Sequence, residues 1–226
     1  MKVPFLQTGE IERKADVLLG RFWQAHDVPL SLPIPIEDIL ERHLQLSLGF
    51  DDLHERFNVP QTGEAPDVLG ALFVQEQEVL INEVLDPDVD PSREGRFRFT
   101  VSHEIGHWQL HREVVSASTE ELELFDAGAE PSIICRRSQA REPIEWQADA
   151  FAACLLMPRR LVADAWRGHF GDQRSRIVPD DEEVRYHMRP LAAEFLVSFA
   201  AMRIRCEQLG LLHRESPAQR LLTTAS

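Results

Sequence analysis

Cysteine is scarce in this chain. Only three cysteines, Cys135, Cys154 and Cys206, occur among 226 residues, and no two of them form a Cys-x-x-Cys pair. A disulfide framework or a thiolate metal site needs cysteines in suitable pairs, so this spacing favours neither. Cys154 and Cys206 lie within apolar helical patterns, and we expect them to be buried thiols.

The chain also has few positive charges and no long apolar run. It has 24 lysines and arginines but 38 aspartates and glutamates, which gives a formal net charge of -14. Such a surface repels phosphate backbones and anionic membranes, so nucleic acid is not the default partner. No stretch reaches the roughly 18 to 20 apolar residues of a membrane span, and the first residues lack the apolar run of a signal peptide. We therefore expect a cytoplasmic protein that does not associate with membranes.

The composition is otherwise that of a folded globular protein, with 43% hydrophobic and 27% charged residues. Apolar periodicity predicts helices over 11–28 and from 34 onward, with the alternating Leu44, Leu46 and Leu48 typical of a strand. The segments LGALFVQ and EVLINEV predict a hairpin after a loop over 51–67. We expect the acidic stretch 113–132 to be mobile.

Two further helices are predicted with clear limits or clear periodicity. FRFTVSHEIGHWQLH (97–111) places Phe97, Val101, Ile105 and Trp108 in one apolar stripe. PIEWQADAFAACLLM (143–157) begins with a proline and is followed by Pro158, which is typical of helix boundaries. Shorter helical patterns follow over 159–167 and 189–212.

The first of these helices contains a His-Glu-x-x-His motif. Its four-residue spacing puts the imidazoles of His103 and His107 one above the other, with Glu104 beside them. Two histidines in this arrangement can share one metal ion. The motif arises by chance in about one chain of this length in a hundred, so it needs support from elsewhere in the sequence.

A catalytic zinc site needs a third protein ligand and one open position. His111 lies about 12 Å along the helix axis from His103, too far to share the ion. The second helix offers Glu145 and Asp149 on one face, so Glu145 can bind the metal while Asp149 orients a ligand histidine. Zinc suits these ligands best, although manganese or iron would accept the same set.

Two long blocks resemble the ImmA/IrrE family of bacterial zinc metallopeptidases: RFRFTVSHEIGHWQLH and EWQADAFAACLLMP. The resemblance implies an α+β fold with a zincin-like (gluzincin-type) core and a small antiparallel sheet. It also implies His103, His107 and Glu145 as zinc ligands, Glu104 as the acid/base that activates water, and Asp149 at a matching position. An endopeptidase of this family would cleave a helix-turn-helix repressor and so derepress stress or mobile-element genes.

The carboxy-terminal block LAAEFLVSFAAMRIRCEQLGLL is similar to a helix-turn-helix-like element of the same family, with Leu196 in place of the usual turn glycine. From Arg185 to the end, six arginines face three glutamates. The alternative function is therefore a DNA-binding transcription regulator with a structural or sensory metal site. Glu104 discriminates between the two, because a structural site needs no general base.

Three parts of the chain are expected: a metallopeptidase domain over 1–170, a helical element over 171–214 and a flexible tail over 215–226.

An oxyanion-stabilising or substrate-contacting group is harder to assign. Tyr186, the only tyrosine, and His187 are candidates for that role, and the alternative is that both belong to a solvated linker.

Overall fold

The structure, a computed structural model of the chain, describes residues 3–29, 31–59, 68–116, 132–136, 142–171, 176–177 and 181–213. For residues 132–136, 176–177, 181–185, 187 and 213 it describes the backbone alone. The chain forms two compact units, Met1–Leu156 and Met157–Ser226. The domain limits expected from the sequence, at 170 and 214, concern function and stay predictions. The expected tail over 215–226 lies outside the described residues.

The first unit begins with three helical segments. Helix α1 (Thr8–His26) opens with a capping box between Gln7 and Glu10 and buries Ile11, Leu18 and Phe22 on one face, as an amphipathic pattern dictates. Helix α2 (Ile36–Asp38) continues as a π-helical turn over Ile39–His43. Helix α3 (Leu53–Arg56) is held by the carboxylate of Asp52, which accepts from two backbone N–H groups of the first turn.

The sheet of the first unit has four strands in the order β1-β3-β2-β4. The strands are β1 (Ser47–Asp51), β2 (Val68–Phe73), β3 (Glu78–Asn82) and β4 (Ser132–Arg136). The predicted hairpin is confirmed, since β2 and β3 pair antiparallel, and β4 pairs antiparallel with β2. The mixed α+β class is therefore correct.

Three details of the expected sheet region are wrong. Strand β1 runs parallel to β3, so the sheet is mixed rather than antiparallel; the crossover from β1 to β3 passes through α3 and β2. The strand expected at 44–48 begins at Ser47, because the helical turn before it extends to His43. The loop expected over 51–67 contains α3. Of the stretch 113–132, residues 117–131 lie outside the described residues.

Helices α4 (Glu94–Leu110) and α5 (Pro143–Leu156) pack against each other in the first unit. Phe97, Val101 and Ile105 are buried on α4 as expected, whereas Trp108 is partly exposed. A Cβ atom at Gly106 would stand 3.1 Å from both the Cα and the carbonyl oxygen of Ala148, so the two backbones approach closely at this point. The apolar face of α5 is also buried: Ile144, Ala148, Phe151, Ala152 and Leu155.

The second unit is helical, with one short pair of strands. It contains α6 (Arg159–Phe170), α7 (Asp181–Glu194) and α8 (Phe199–Gln208), and β5 (Arg176–Ile177) pairs parallel with β6 (Leu212–His213). Residues 195–198 join α7 to α8, with Leu196 at a φ of 49°, a left-handed conformation that glycine adopts more readily. Ser198 caps α8. The likeness of this helix pair to a helix-turn-helix stays a prediction.

Cys154 and Cys206 are buried thiols, as predicted. Among the described residues, no helix is both long enough and apolar enough to cross a membrane.

Candidate metal centre

Four buried side chains meet where α4 packs on α5. His103, Glu104 and His107 come from α4 and Glu145 comes from the first turn of α5, and none of the four is more than 4% exposed. The ligand atoms of the two histidines and Glu145 all lie within 4.8 Å of one another. The structure thus brings Glu145 to two histidines that lie about forty positions before it, as the two sequence blocks suggested.

The separations between these ligand atoms fit one small metal ion. The Nε2 atoms of His103 and His107 lie 2.9 Å apart. The two carboxylate oxygens of Glu145 lie 3.2 Å from Nε2 of His103 and 3.5 Å from Nε2 of His107. Ligands in a tetrahedron at zinc–nitrogen distances of about 2.0–2.1 Å are about 3.3 Å apart. The three separations bracket that value, so these residues are able to hold a metal.

Asp149 lies behind His103. Its Oδ1 atom is 2.9 Å from Nδ1 of His103, and its side chain is 41% exposed. An ionised carboxylate only accepts hydrogen bonds, so His103 donates from Nδ1 and keeps the lone pair of a neutral ring on Nε2. The lone pair then points towards His107 and Glu145, the orientation in which an imidazole binds a metal.

The buried setting favours the protonation states that bind metals. Burial lowers the pKa of His107 to about 4, against the opposing effect of its hydrogen bond with Glu145. Burial alone would raise the pKa of Glu145, but hydrogen bonds with His103 and His107 outweigh it and lower that pKa to about 2. At neutral pH His107 is therefore neutral and Glu145 is ionised, as metal binding requires.

Glu104 lies in the most enclosed position of the group. Both of its carboxylate oxygens are buried, and neither has a hydrogen-bond partner among the described residues. Burial raises the pKa of Glu104 to about 8, with a smaller contribution of the same sign from Glu145 and an opposing one from His103. Burying a carboxyl group without a hydrogen-bond partner lowers the stability of the folded protein. A buried group with so strongly shifted a pKa is typical of a functional site.

Sequence reasoning missed two residues that contact the centre. His111 was rejected as a ligand, and it contacts the ligand His107 instead, with 3.0 Å between the two Nδ1 atoms. Nε2 of His111 lies 3.3 Å from Oε1 of Gln147, which no motif singled out. The four-residue spacing from His107 to His111 was a usable signal, because it places the two rings on one face of the helix.

The candidates for oxyanion stabilisation both lie on α7, in the second unit. Tyr186 is 77% exposed, and the structure describes only the backbone of His187. Their assignment to substrate or oxyanion contacts stays a prediction.

Comparisons with known proteins bear on the family of the chain. The family model Peptidase_M78, described as "IrrE N-terminal-like domain", matches residues 89–207, which is more than half of the chain and includes every residue of the centre. No curated protein matches. Among solved structures, a Mycobacterium tuberculosis transcriptional regulator is 15% identical with a TM-score of 0.46, over 87% of this chain and 55% of that one. The chain thus spans about half the length of that regulator, and a likeness this weak supports no functional argument.

Proposed function

Since the chain belongs to the Peptidase_M78 family of IrrE N-terminal-like domains, we propose that it is a metal-dependent endopeptidase. The observation that supports this most is the position of Glu104. Its buried carboxyl group, which has no hydrogen-bond partner among the described residues, lies beside three convergent ligand residues on the same pair of helices. A group able to hold a metal and a neighbouring group able to move a proton are the two requirements of metal-assisted hydrolysis.

His103, His107 and Glu145 would hold the metal, with zinc favoured by the ligand types and manganese or iron as further candidates. When bound, the ion would supply Lewis acidity, which polarises a peptide carbonyl and makes water more acidic. Asp149 would keep Nε2 of His103 available for that ion, since it accepts from the opposite ring nitrogen.

Glu104 would act as the proton carrier of the reaction. It would take a proton from the attacking water and return it to the amine that leaves when the peptide bond breaks. Its pKa of about 8 in the metal-free site lies near neutrality, where a carboxyl group can both accept and release a proton. A cation beside it would lower that pKa and favour the carboxylate, which is the form needed for the first step.

A purely structural metal site explains the centre less well. Structural zinc sites have four protein ligands, whereas within the described part of the chain this cluster has three. A fourth position left to water and substrate is typical of catalytic sites. A structural site also gives no reason to bury Glu104 without a partner.

We further propose a helix-turn-helix repressor as the substrate, cleaved to derepress stress or mobile-element genes. The family resemblance of the two sequence blocks supports this target class. The net charge of -14 supports it as well, because an acidic protein attracts a basic DNA-binding protein over a distance. A substrate of this kind would place the activity in the cytoplasm.

The alternative of a DNA-binding regulator has weaker support. On α8, Arg205 is buried and donates from Nε to the backbone carbonyl of Met157, at 2.9 Å. Arg203 lies 3.9 Å from Glu207 one turn along the same helix. Neither arginine is arranged so that its charge would be presented to a DNA phosphate. Binding of this protein to a specific DNA site, with an affinity that falls steeply as salt rises, would favour the alternative.

The experiment is a cleavage assay with two preparations of the same protein, one loaded with zinc and one stripped with a chelator. Each is incubated with the helix-turn-helix proteins encoded beside its gene, and new chain termini are identified by mass spectrometry. We expect one defined cut with the zinc-loaded protein alone. Intact substrates after incubation with protein shown to contain zinc would contradict the proposed substrate class.

A further inference from the structure

Three hydrogen bonds run in series from His107 to the backbone near the start of the chain. Nδ1 of His107 lies 3.0 Å from Nδ1 of His111, and Nε2 of His111 lies 3.3 Å from Oε1 of Gln147. Nε2 of Gln147 then donates to the carbonyl oxygen of Pro4, at 2.9 Å. The three side chains are no more than 1% exposed. Water therefore has little access to compete for these hydrogen bonds.

The backbone end of this series fixes its direction. The carbonyl oxygen of Pro4 can only accept, so the amide nitrogen of Gln147 must face it. The opposite amide orientation would place two oxygens 2.9 Å apart with no proton between them. The amide oxygen of Gln147 consequently faces His111 and accepts a hydrogen bond from it.

The tautomers of both histidines follow from that direction. His111 carries its proton on Nε2, because it donates to Gln147, and Nδ1 of its neutral ring is then an acceptor. His107 must donate to this acceptor from its own Nδ1. The lone pair of His107 is thereby left on Nε2, the nitrogen that lies 2.9 Å from His103 and 3.5 Å from Glu145.

We propose that His111 and Gln147 are positioning residues that hold His107 in the tautomer and ring orientation needed to bind a divalent metal through Nε2. This inference rests on the metal-binding part of the proposed function. It assigns a role to two residues that do not themselves reach the metal. Pro4 contributes a backbone acceptor, so the segment before α1 belongs to the support of the centre.

The two ligand histidines are thus supported in different ways. His103 donates to the carboxylate of Asp149, which is partly exposed to water. His107 is completely buried, and Glu145 already places a carboxylate beside it, 3.5 Å from its Nε2 atom. A further carboxylate behind His107 would add a buried negative charge with little solvation, whereas a neutral imidazole and amide supply the same acceptor without that cost.

The first test measures zinc affinity by competition with a chromogenic chelator. We expect His111→Leu and Gln147→Leu each to weaken zinc binding about 10- to 100-fold, as removal of outer partners of metal ligands typically does. The matched control is His54→Leu. His54 is also buried, with Nδ1 3.2 Å from the side-chain amide of Asn82 and 4.0 Å from Oδ1 of Asp52, and in the described part of the chain its ring makes no hydrogen bond to a residue of the centre. Its variant should lose stability and keep the zinc affinity of the parent protein.

The second test reads the tautomers in the unmodified protein and so does not depend on variants that fold. In zinc-loaded protein with ¹⁵N-labelled histidine, NMR should find the proton of His107 on Nδ1 and that of His111 on Nε2. A scalar coupling between the two Nδ1 nuclei should report the hydrogen bond between them. A purely structural role for His111 would not require this pair of tautomers.

The outcomes separate this inference from the one it rests on. A parent protein that binds no zinc contradicts both. A parent protein that binds zinc, with unchanged affinity in both leucine variants or with the proton of His111 on Nδ1, overturns the positioning role alone.

Discussion

A methyl group in place of the Gly70 hydrogen would stand 2.5 Å from Oε1 of Glu104, closer than a Cβ atom comes to a heavy atom to which it is not bonded. The same methyl would lie 2.9 Å from Cγ2 of Thr100. The central strand β2 therefore passes against the buried carboxyl group, and the absence of a side chain at Gly70 leaves room for it. This contact connects the sheet to the proton-moving residue of the centre.

Gly70→Ala should impair cleavage without impairing metal binding. The added methyl must displace the carboxyl group of Glu104, and a shift of about 1 Å in a reacting group can cost about 100-fold in rate. The three atoms nearest to the added methyl belong to Glu104 and Thr100 and not to a ligand residue, so the zinc affinity should stay that of the parent protein. Rates and affinities measured on the same preparation test both halves of the expectation.

Gly49→Ala is the matched control. It also places a methyl too close to a neighbour, at 2.9 Å from Cδ2 of Leu80, but on strand β1 and away from Glu104. We expect this variant to cleave at the parent rate. If Gly70→Ala cleaves as fast as Gly49→Ala, the space at Gly70 does not serve the position of Glu104.

The metal-free protein should lose stability as the pH rises from about 6.5 to about 8. The folded-state pKa of Glu104 is raised to about 8 from an ordinary value of 4.5, so the folded state holds a proton that the unfolded state has released. The free energy of unfolding must then fall with pH in this window, by at most about 1.4 kcal/mol per pH unit. His107 and Glu145 have lowered pKa values, so their titration affects the free energy of unfolding at lower pH, where stability increases as the pH rises.

Urea unfolding of chelator-treated protein across that window measures the effect. The slope should disappear in Glu104→Gln, which has no titrating group at this position. It should also disappear when zinc is bound, because a nearby cation lowers the pKa of a carboxyl group. An equal slope in the parent protein and in Glu104→Gln would show that the titration belongs to another group.

Asp149→Asn should weaken zinc binding. Asp149 accepts from Nδ1 of His103, and the amide keeps the shape of the side chain but removes its charge. We expect a loss of affinity of about 10- to 100-fold by chelator competition. Asp38→Asn provides the comparison, since Asp38 forms an exposed ion pair with Arg42 one turn away on the same segment. Equal affinities in the two variants would exclude the role of Asp149.

The elements that sequence predicted well are those with strong local patterns. Helix α4 has a long apolar stripe, helix α5 has a proline at each boundary, and the β2–β3 hairpin has two apolar runs around a short polar turn. The partners His103, His107 and Glu145 could be chosen because the spacing of donors on a helix fixes which of them share a face. Their meeting at one point became visible only with the packing of α4 on α5.

The parts that sequence could not predict depend on contacts distant along the chain. Strand β4 pairs with β2, which lies about sixty residues before it, and the parallel pairing of β1 with β3 depends on a crossover. Gly70 could not be connected to Glu104 because its importance lies in a side chain that is absent. His111 and Gln147 were missed because a search for metal ligands asks which atoms reach the ion, and these two act through His107.

Glu104→Gln separates the role of Glu104 in proton transfer from the binding of the metal. The substitution keeps the size of the side chain and leaves His103, His107 and Glu145 in place, but it removes the group that moves the proton. Zinc content and cleavage of the neighbouring repressor are measured on the variant and on the parent protein. We expect one zinc ion per chain in both proteins, with cleavage by the variant reduced by at least about 100-fold. Cleavage at the parental rate by a zinc-loaded Glu104→Gln protein would contradict this role of Glu104.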